Sequence, residues 1–172
     1  GSEMCIRDRH AGYTGPSVAP GSYTATVSIG NLSEAFEFTV TADPRSSATE
    51  KQTIEWVQTL SEIKTTLTDV LQNLDTARHS RLQVRKLLDD YQDDELQRLG
   101  NKAVEAINDW ELKITQVKHE TYEDEDAWET MLDGQLRFLM DVVDASGAPV
   151  TDGAKTRFTD LDQQWQLRQE EL

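Results

Sequence analysis

Few residues in this chain are of a type that does chemistry, and their spacing argues against most of it. The three histidines, His10, His79 and His119, are far apart and on no metal-ligand spacing. There is no His-Glu-x-x-His helix, no glycine loop to cradle phosphate and no Gly-x-Ser-x-Gly elbow. His79 sits between Arg78 and the nearby Arg81, as a solvated helix residue would. The run Glu123, Asp124, Glu125, Asp126 could attract a cation, but it lacks the alternating ligands and the glycine of a calcium loop, so it reads as connector charge. Paired carboxylates for glycoside cleavage need a walled cleft of defined width, which a rod of helices does not offer. The expectation is therefore no catalytic, cofactor-binding or metal-binding residue.

What must hold these residues is a set of helices. Between Ser47 and Tyr91 an apolar seam steps alternately by four and three: Trp56, Leu60, Ile63, Leu67, Val70, Leu74, Ala77, then Val84, Leu88 and Tyr91. That is the spacing of a long amphipathic helix of coiled-coil type. At about 1.5 Å per residue it makes a rod of roughly 65 to 70 Å. Arg81 alone interrupts it. Its stem can cover apolar surface while the guanidinium reaches the edge, and a polar residue in a seam can set register. A rod cannot bury its own seam, so the rest of the chain must supply partners.

Three more helices follow in the pattern. Leu96, Leu99, Ala103, Ala106, Trp110, Ile114 and Val117 form a second seam after the acidic turn at 92–95, with Gly100 weakening it locally. The connector 119–126 leads to a third, Trp128, Leu132, Gln135, Leu139 and Val142, widened by Met131 and Phe138 and stopped by Ser146-Gly147-Ala148-Pro149. Thr151 caps a fourth, with Ala154, Phe158, Leu161, Trp165, Arg168 and Leu172. The four tryptophans, Trp56, Trp110, Trp128 and Trp165, fall one per helix at interior positions. The helices span about 47–91, 94–119, 126–145 and 152–172. Short connections make neighbours antiparallel, so the second helix pairs with the C-terminal half of the first, and the third and fourth with its N-terminal half. Ser47 and Glu50 have the spacing of a capping box at the start.

Ahead of the helices, residues 10–21 are rich in Gly, Pro, Ser and Ala. Tyr23, Ala25, Val27 and Ile29 then alternate with polar residues, Gly30-Asn31 turns the chain, and Phe36, Phe38 and Val40 alternate again. This is a hairpin with one apolar face, ended by Asp43-Pro44. A lone hairpin is marginal in water, so it reads as the remnant of a larger sandwich. The fold class expected is mainly α: an elongated antiparallel four-helix bundle with a long first helix, preceded by a β-hairpin remnant of an immunoglobulin-like sandwich.

With 172 residues the chain can hold one core plus a small module. A net charge of −15 repels phosphate backbones and anionic surfaces, which makes nucleic acid and membrane surface poor partners. No apolar run reaches the roughly 18 residues of a membrane span. Residues 1–9, GSEMCIRDR, resemble the in-frame translation of a transposon-type adapter used in DNA library preparation. On that reading Cys5 is foreign and the natural segment has no cysteine. Leu172 follows the acidic Glu170-Glu171 without a helix-closing signal, so the expectation is that the natural protein extends beyond both ends.

One family likeness is carried by these residues. Ala19-Pro20-Gly21-Ser22-Tyr23-Thr24-Ala25-Thr26-Val27, the hairpin, Asp43-Pro44-Arg45 and the long helix, with Gly134-Gln135-Leu136 and the segment from Thr151 to Trp165, resemble the C-terminal region of bacterial sortilin-like β-propeller proteins, often labelled glycosyl hydrolases with sialidase-type repeats. The resemblance implies a secreted or periplasmic protein in which β-propellers and an immunoglobulin-like sandwich precede this helical tail. No Ser-x-Asp-x-Gly-x-Thr-Trp box of the propellers occurs here, so no site residue carries over. The function expected is a non-catalytic structural or interaction module that packs against those upstream domains. The alternatives are an accessory part of a glycoside-cleaving enzyme, and a coiled-coil scaffold that oligomerises through the Trp56 to Leu74 seam.

Overall fold

The computed structural model describes residues 16–119, 124 and 127–171. Cys5, His10, the adapter-like stretch, most of the acidic connector and Leu172 lie outside the described residues.

The hairpin forms as its alternation dictates. Strands β1 (Gly21–Ile29) and β2 (Leu32–Val40) pair antiparallel, with Tyr23 opposite Phe38, Ala25 opposite Phe36 and Ile29 opposite Leu32. Gly30 has φ +58°, the sign that the first loop position of a type II′ turn requires. Because a two-residue turn closes directly, the ladder starts at Leu32 rather than near Phe36.

Helix α1 (Glu50–Asp90) runs unbroken for 41 residues, about 60 Å, straight through Ala77 to Arg81. Its cap is a correction: the capping box is Thr49 with Gln52, not Ser47 with Glu50. The Gln52 amide donates to Thr49 Oγ1 (3.3 Å) and the Thr49 amide donates to Gln52 Oε1 (2.8 Å). Both pairs have the right spacing. The Ser46 amide bonds the Asp43 carbonyl and the Ala48 amide bonds Ser46 Oγ, which keeps 43–48 in a turn and leaves Thr49 as the first residue free to cap.

Helix α2 (Asp94–Ile114) folds back on the C-terminal half of α1. Asp93 caps it, and Gln97 Nε2 donates to the carbonyls of Leu88 and Tyr91, closing the end of α1. The inward stripe is Leu96, Gly100, Val104, Ile107, Glu111 and Ile114 with Trp110, whereas Leu99, Ala103 and Ala106, expected inside, face solvent. Two observations explain this roughly 100° rotation. Leu88 packs on Gly100 so closely that a Cβ there would lie 2.5 Å from Leu88 Cδ2, and Glu111 turns inward to meet two arginines. The helix stops at Ile114 rather than 119, because Thr115 Oγ1 bonds Asp133 Oδ2 (3.0 Å) and Gln116 Nε2 bonds the Glu129 carbonyl (3.0 Å), so Val117 lies in the exposed connection.

Helix α3 (Leu132–Ser146) lies along the N-terminal half of α1, with Trp56 Nε1 donating to the Val143 carbonyl (2.8 Å). It starts six residues later than expected. The Ala127 and Trp128 amides both bond the Asp124 carbonyl, so this stretch is a turn. Trp128 is 43% exposed, with the Lys118 ammonium 4.4 Å from its ring centroid. The buried face is Leu132, Leu136, Leu139 and Val143; Phe138 and Val142 point outward. Gly147, at φ +67°, ends the helix where expected.

Helix α4 (Asp152–Gln169), capped by Thr151, runs antiparallel to α3 and so parallel to α1. Lys155 pairs with Glu55, Thr66 Oγ1 donates to Asp162 Oδ1 (3.0 Å) and Trp165 Nε1 to Asp69 Oδ2 (2.8 Å). Its end meets the end of α2, where Trp110 Nε1 donates to the Arg168 carbonyl (2.8 Å). The four helices thus form a bundle in two storeys: α1, α3 and α4 below, α1 and α2 above. One core joins them, from Leu60 to Ala77 on α1 through Trp110, Ile114, Leu132 to Val143, Leu161 and Trp165.

Candidate functional site

The α1 seam is filled within the chain. Leu60, Ile63, Leu67, Val70 and Leu74 are buried, Trp56 packs at the margin, and further along Leu88 is buried and Val84 half-buried. Trp110 and Trp165 join the core, tilted at 57° with centroids 6.3 Å apart, while Trp128 does not. A scaffold pairing through Trp56 to Leu74 needs a surface that α3 and α4 already cover.

Arg81 acquires its explanation from α2. Its Nη1 donates to Asn108 Oδ1 (2.7 Å) and to Glu111 Oε2 (2.5 Å), and Arg78 Nε donates to Glu111 Oε1 (2.6 Å). Glu111 is 5% exposed. Burial pushes its carboxyl up, but the hydrogen bonds and charges of Arg78 and Arg81 outweigh that and hold it below its ordinary range. A carboxylate shared between two guanidiniums ties α2 to α1 and fixes how the two helices face each other. Sequence reading missed Glu111 because it lay off the expected stripe. An arginine inside a seam was the available signal, since it demands an acidic partner on the facing helix.

The groove between α1 and α4 brings Asp69 and Asp162 together with Thr66, Trp165 and Gln169. Its acceptors are engaged: Asp69 takes bonds from Trp165, Gln169 and Asn73, and Asp162 from Thr66 and Gln166. His79 is exposed and 3.9 Å from Asp75 one turn away. Among the described residues no group of three or more His, Cys, Asp or Glu side chains could hold a metal ion, and no helix is long and apolar enough to cross a membrane.

Among the described residues, the hairpin gathers several exposed apolar side chains on one face. The register places Tyr23, Ala25, Val27 and Ile29 on one face with Phe38, Phe36, Glu34 and Leu32, and Ser22, Thr24, Thr26 and Ser28 on the other with Thr39, Glu37, Ala35 and Ser33. Tyr23 stacks on Phe38 (5.9 Å) and Phe36 leans on Phe38 (6.5 Å), so the aromatic residues partly cover each other; Ala25 and Val40 on the same face are half-buried and Val27 is exposed. Ile29 and Leu32 are more than three-quarters exposed. None of these residues belongs to the bundle core. The approach to β1 is tied to α3 by the Ser17 amide, which donates to Asp144 Oδ1 (3.2 Å). No protein-family model, no curated protein and no solved structure matches the chain.

Proposed function

We propose that this chain is a non-catalytic structural and interaction module, a helical arm that carries a β-hairpin as its contact surface. The observation behind this reading is the contrast between the two parts. The core-facing stripes of α1 to α4 are closed by one another, with exposed apolar residues such as Leu82, Phe138 and Leu167 on separate helices, while the hairpin, of a size that needs further strands or a packing partner for stability, keeps Val27, Ile29, Leu32, Phe36 and Phe38 exposed together on one face. Among the described residues, the groove carboxylates Asp69 and Asp162 accept hydrogen bonds from side chains of α1 and α4 and Glu111 is paired with two arginines, which favours a structural role for them over a glycoside-cleaving one. In keeping with the resemblance to sortilin-like proteins, the module belongs to an extracytoplasmic β-propeller protein and packs against its sandwich and propeller domains.

The test separates a contact surface from a structural one. Phe36→Thr/Phe38→Thr, measured by urea unfolding at a protein concentration low enough that the midpoint no longer depends on it, is expected to change stability by less than about 0.5 kcal/mol, as for surface positions. A loss of about 3 kcal/mol or more, the cost of emptying a core aromatic site, overturns the reading, as does saturable turnover of aryl glycosides by the purified chain.

A further inference from the structure

The solvent-facing stripe of α2 is aligned with α4. Leu99, Ala103, Ala106, Trp110 and Lys113 follow one another at steps of four and three along one side of α2. The lower end of that stripe is covered: Trp110 Nε1 donates to the Arg168 carbonyl (2.8 Å) and Lys113 Nζ pairs with Glu171 Oε2 (2.9 Å), both at the end of α4. The same holds on α1. Glu55, Thr66 and Asp69 bind α4 through Lys155, Asp162, Trp165 and Gln169, and heptad steps carry their stripe on through Thr76, Ser80, Gln83 and Leu87. The lane that α4 fills thus continues past Gln169 between α1 and α2, where no described residue covers it.

We infer that this open lane is a docking groove for a third helix, an amphipathic partner helix that lies end to end with α4 and carries basic side chains at its far end. A helix with two neighbouring apolar stripes is built to face two partners. The inner stripe of α2, with Gly100, Val104 and Ile107, meets α1; the outer one, where Leu99 is 50% exposed and Ala103 and Ala106 are exposed, meets α4 only at its foot. The two alanines let a helix axis approach to about 8 Å. Across the groove Leu87 is half exposed, while Thr76 Oγ1 and Ser80 Oγ already donate to the carbonyls of Gln72 and Thr76 (both 2.9 Å), so covering them strands no hydroxyl. From Trp110 to Leu99 the groove is about 17 Å long, or three helical turns. Its far end is the acidic turn with Asp89, Asp90, Asp93, Asp94 and Glu95, of which only Glu95 pairs with a base, Arg98, among the described residues. Lys or Arg on the occupant complements that end.

The experiment joins a probe helix to the full chain after Leu172 through a flexible Gly/Ser linker, which holds it at an effective concentration in about the millimolar range. The probe carries leucines at heptad spacing, alanine and glutamine elsewhere, and lysines at one end. Compared with the chain carrying the linker alone, the expected result is a urea midpoint higher by about 0.5 M or more and slower amide exchange over residues 99–106. Ala103→Lys should abolish that gain, Leu82→Lys, on the opposite side of α1, should keep it, and a probe with glutamates in place of its lysines should lose about half of it or more. The inference is overturned by an absent gain, by a gain that survives Ala103→Lys, or by one that grows with the glutamate probe. Light scattering of the unextended chain closes the remaining case: a dimer lost in Ala103→Lys places a second copy in the lane and overturns it too. The hairpin takes no part in any of these outcomes, so failure here leaves the reading of the hairpin standing.

Discussion

Glu111→Gln isolates the electrostatic link between α1 and α2. The substitution keeps volume and shape but removes the charge from a site that is 5% exposed and receives Arg78 Nε at 2.6 Å and Arg81 Nη1 at 2.5 Å. Taking one partner out of a buried pair costs about 3–5 kcal/mol when the remaining charge stays trapped. Here the trap is partial: the Arg78 side chain is 48% exposed and can rehydrate, whereas Arg81, at 19%, keeps Asn108 and at best the one neutral amide oxygen that the substitution leaves. The expected loss is therefore about 2 kcal/mol at pH 7, or about 1 M in the urea midpoint for a slope near 2 kcal/mol/M. Tryptophan fluorescence, to which the preceding residue Trp110 contributes along with three others, reports it.

The pH dependence has a definite sign. The folded carboxyl is held below its ordinary value of 4.5, so the unfolded chain binds the proton more tightly. The stability advantage of the natural chain over Glu111→Gln is then fully present above the unfolded pKa and shrinks as pH falls through the folded one. Arg81→Leu/Glu111→Leu should recover most of the loss, because the seam becomes continuous and no charge is left alone in it. A difference under about 0.5 kcal/mol at pH 7, or one that grows on acidification, would refute the reasoning.

Gly100→Ala gains up to about 1 kcal/mol of helix propensity but drives its Cβ toward Leu88; thermal melting should show a net loss of about 1 kcal/mol, relieved in Gly100→Ala/Leu88→Ala relative to Leu88→Ala alone. Trp110→Ala should cost about 3–5 kcal/mol in urea unfolding and Trp128→Ala less than about 1, which inverts the expectation that both are core. Thr49→Ala should lower stability by about 1 kcal/mol, seen as fraying of the first turn of α1 in amide exchange, whereas Ser47→Ala should do nothing measurable.

The sequence alone determined the elements that carry a strong, unshared period. The α1 seam is spaced so that no other stripe of the helix is comparably apolar, and the hairpin's alternation and Gly30-Asn31 turn leave one register. Thr151 as a cap, the stop at Gly147 and the pairing of α2 with the second half of α1 follow from local chemistry and short connections in the same way. The structure decided which stripe turns inward wherever two compete. On α2, Leu99, Ala103 and Ala106 stand beside Gly100, Val104 and Ile107, and on α3 Gln135 and Val142 beside Leu136 and Val143. Neighbouring stripes differ by one residue, about 100° of rotation, and their apolar content is too similar to separate them. What separates them lies across the interface: Leu88 needs the hollow at Gly100, Arg81 and Arg78 need Glu111, and Trp56 needs the Val143 carbonyl. Trp128 was misplaced for the same reason, since hydrogen bonds from its amide and that of Ala127 to the Asp124 carbonyl hold a turn where the apolar spacing continues a helix. Periodicity belongs to one segment, but burial is a property of two, and only their packing assigns it.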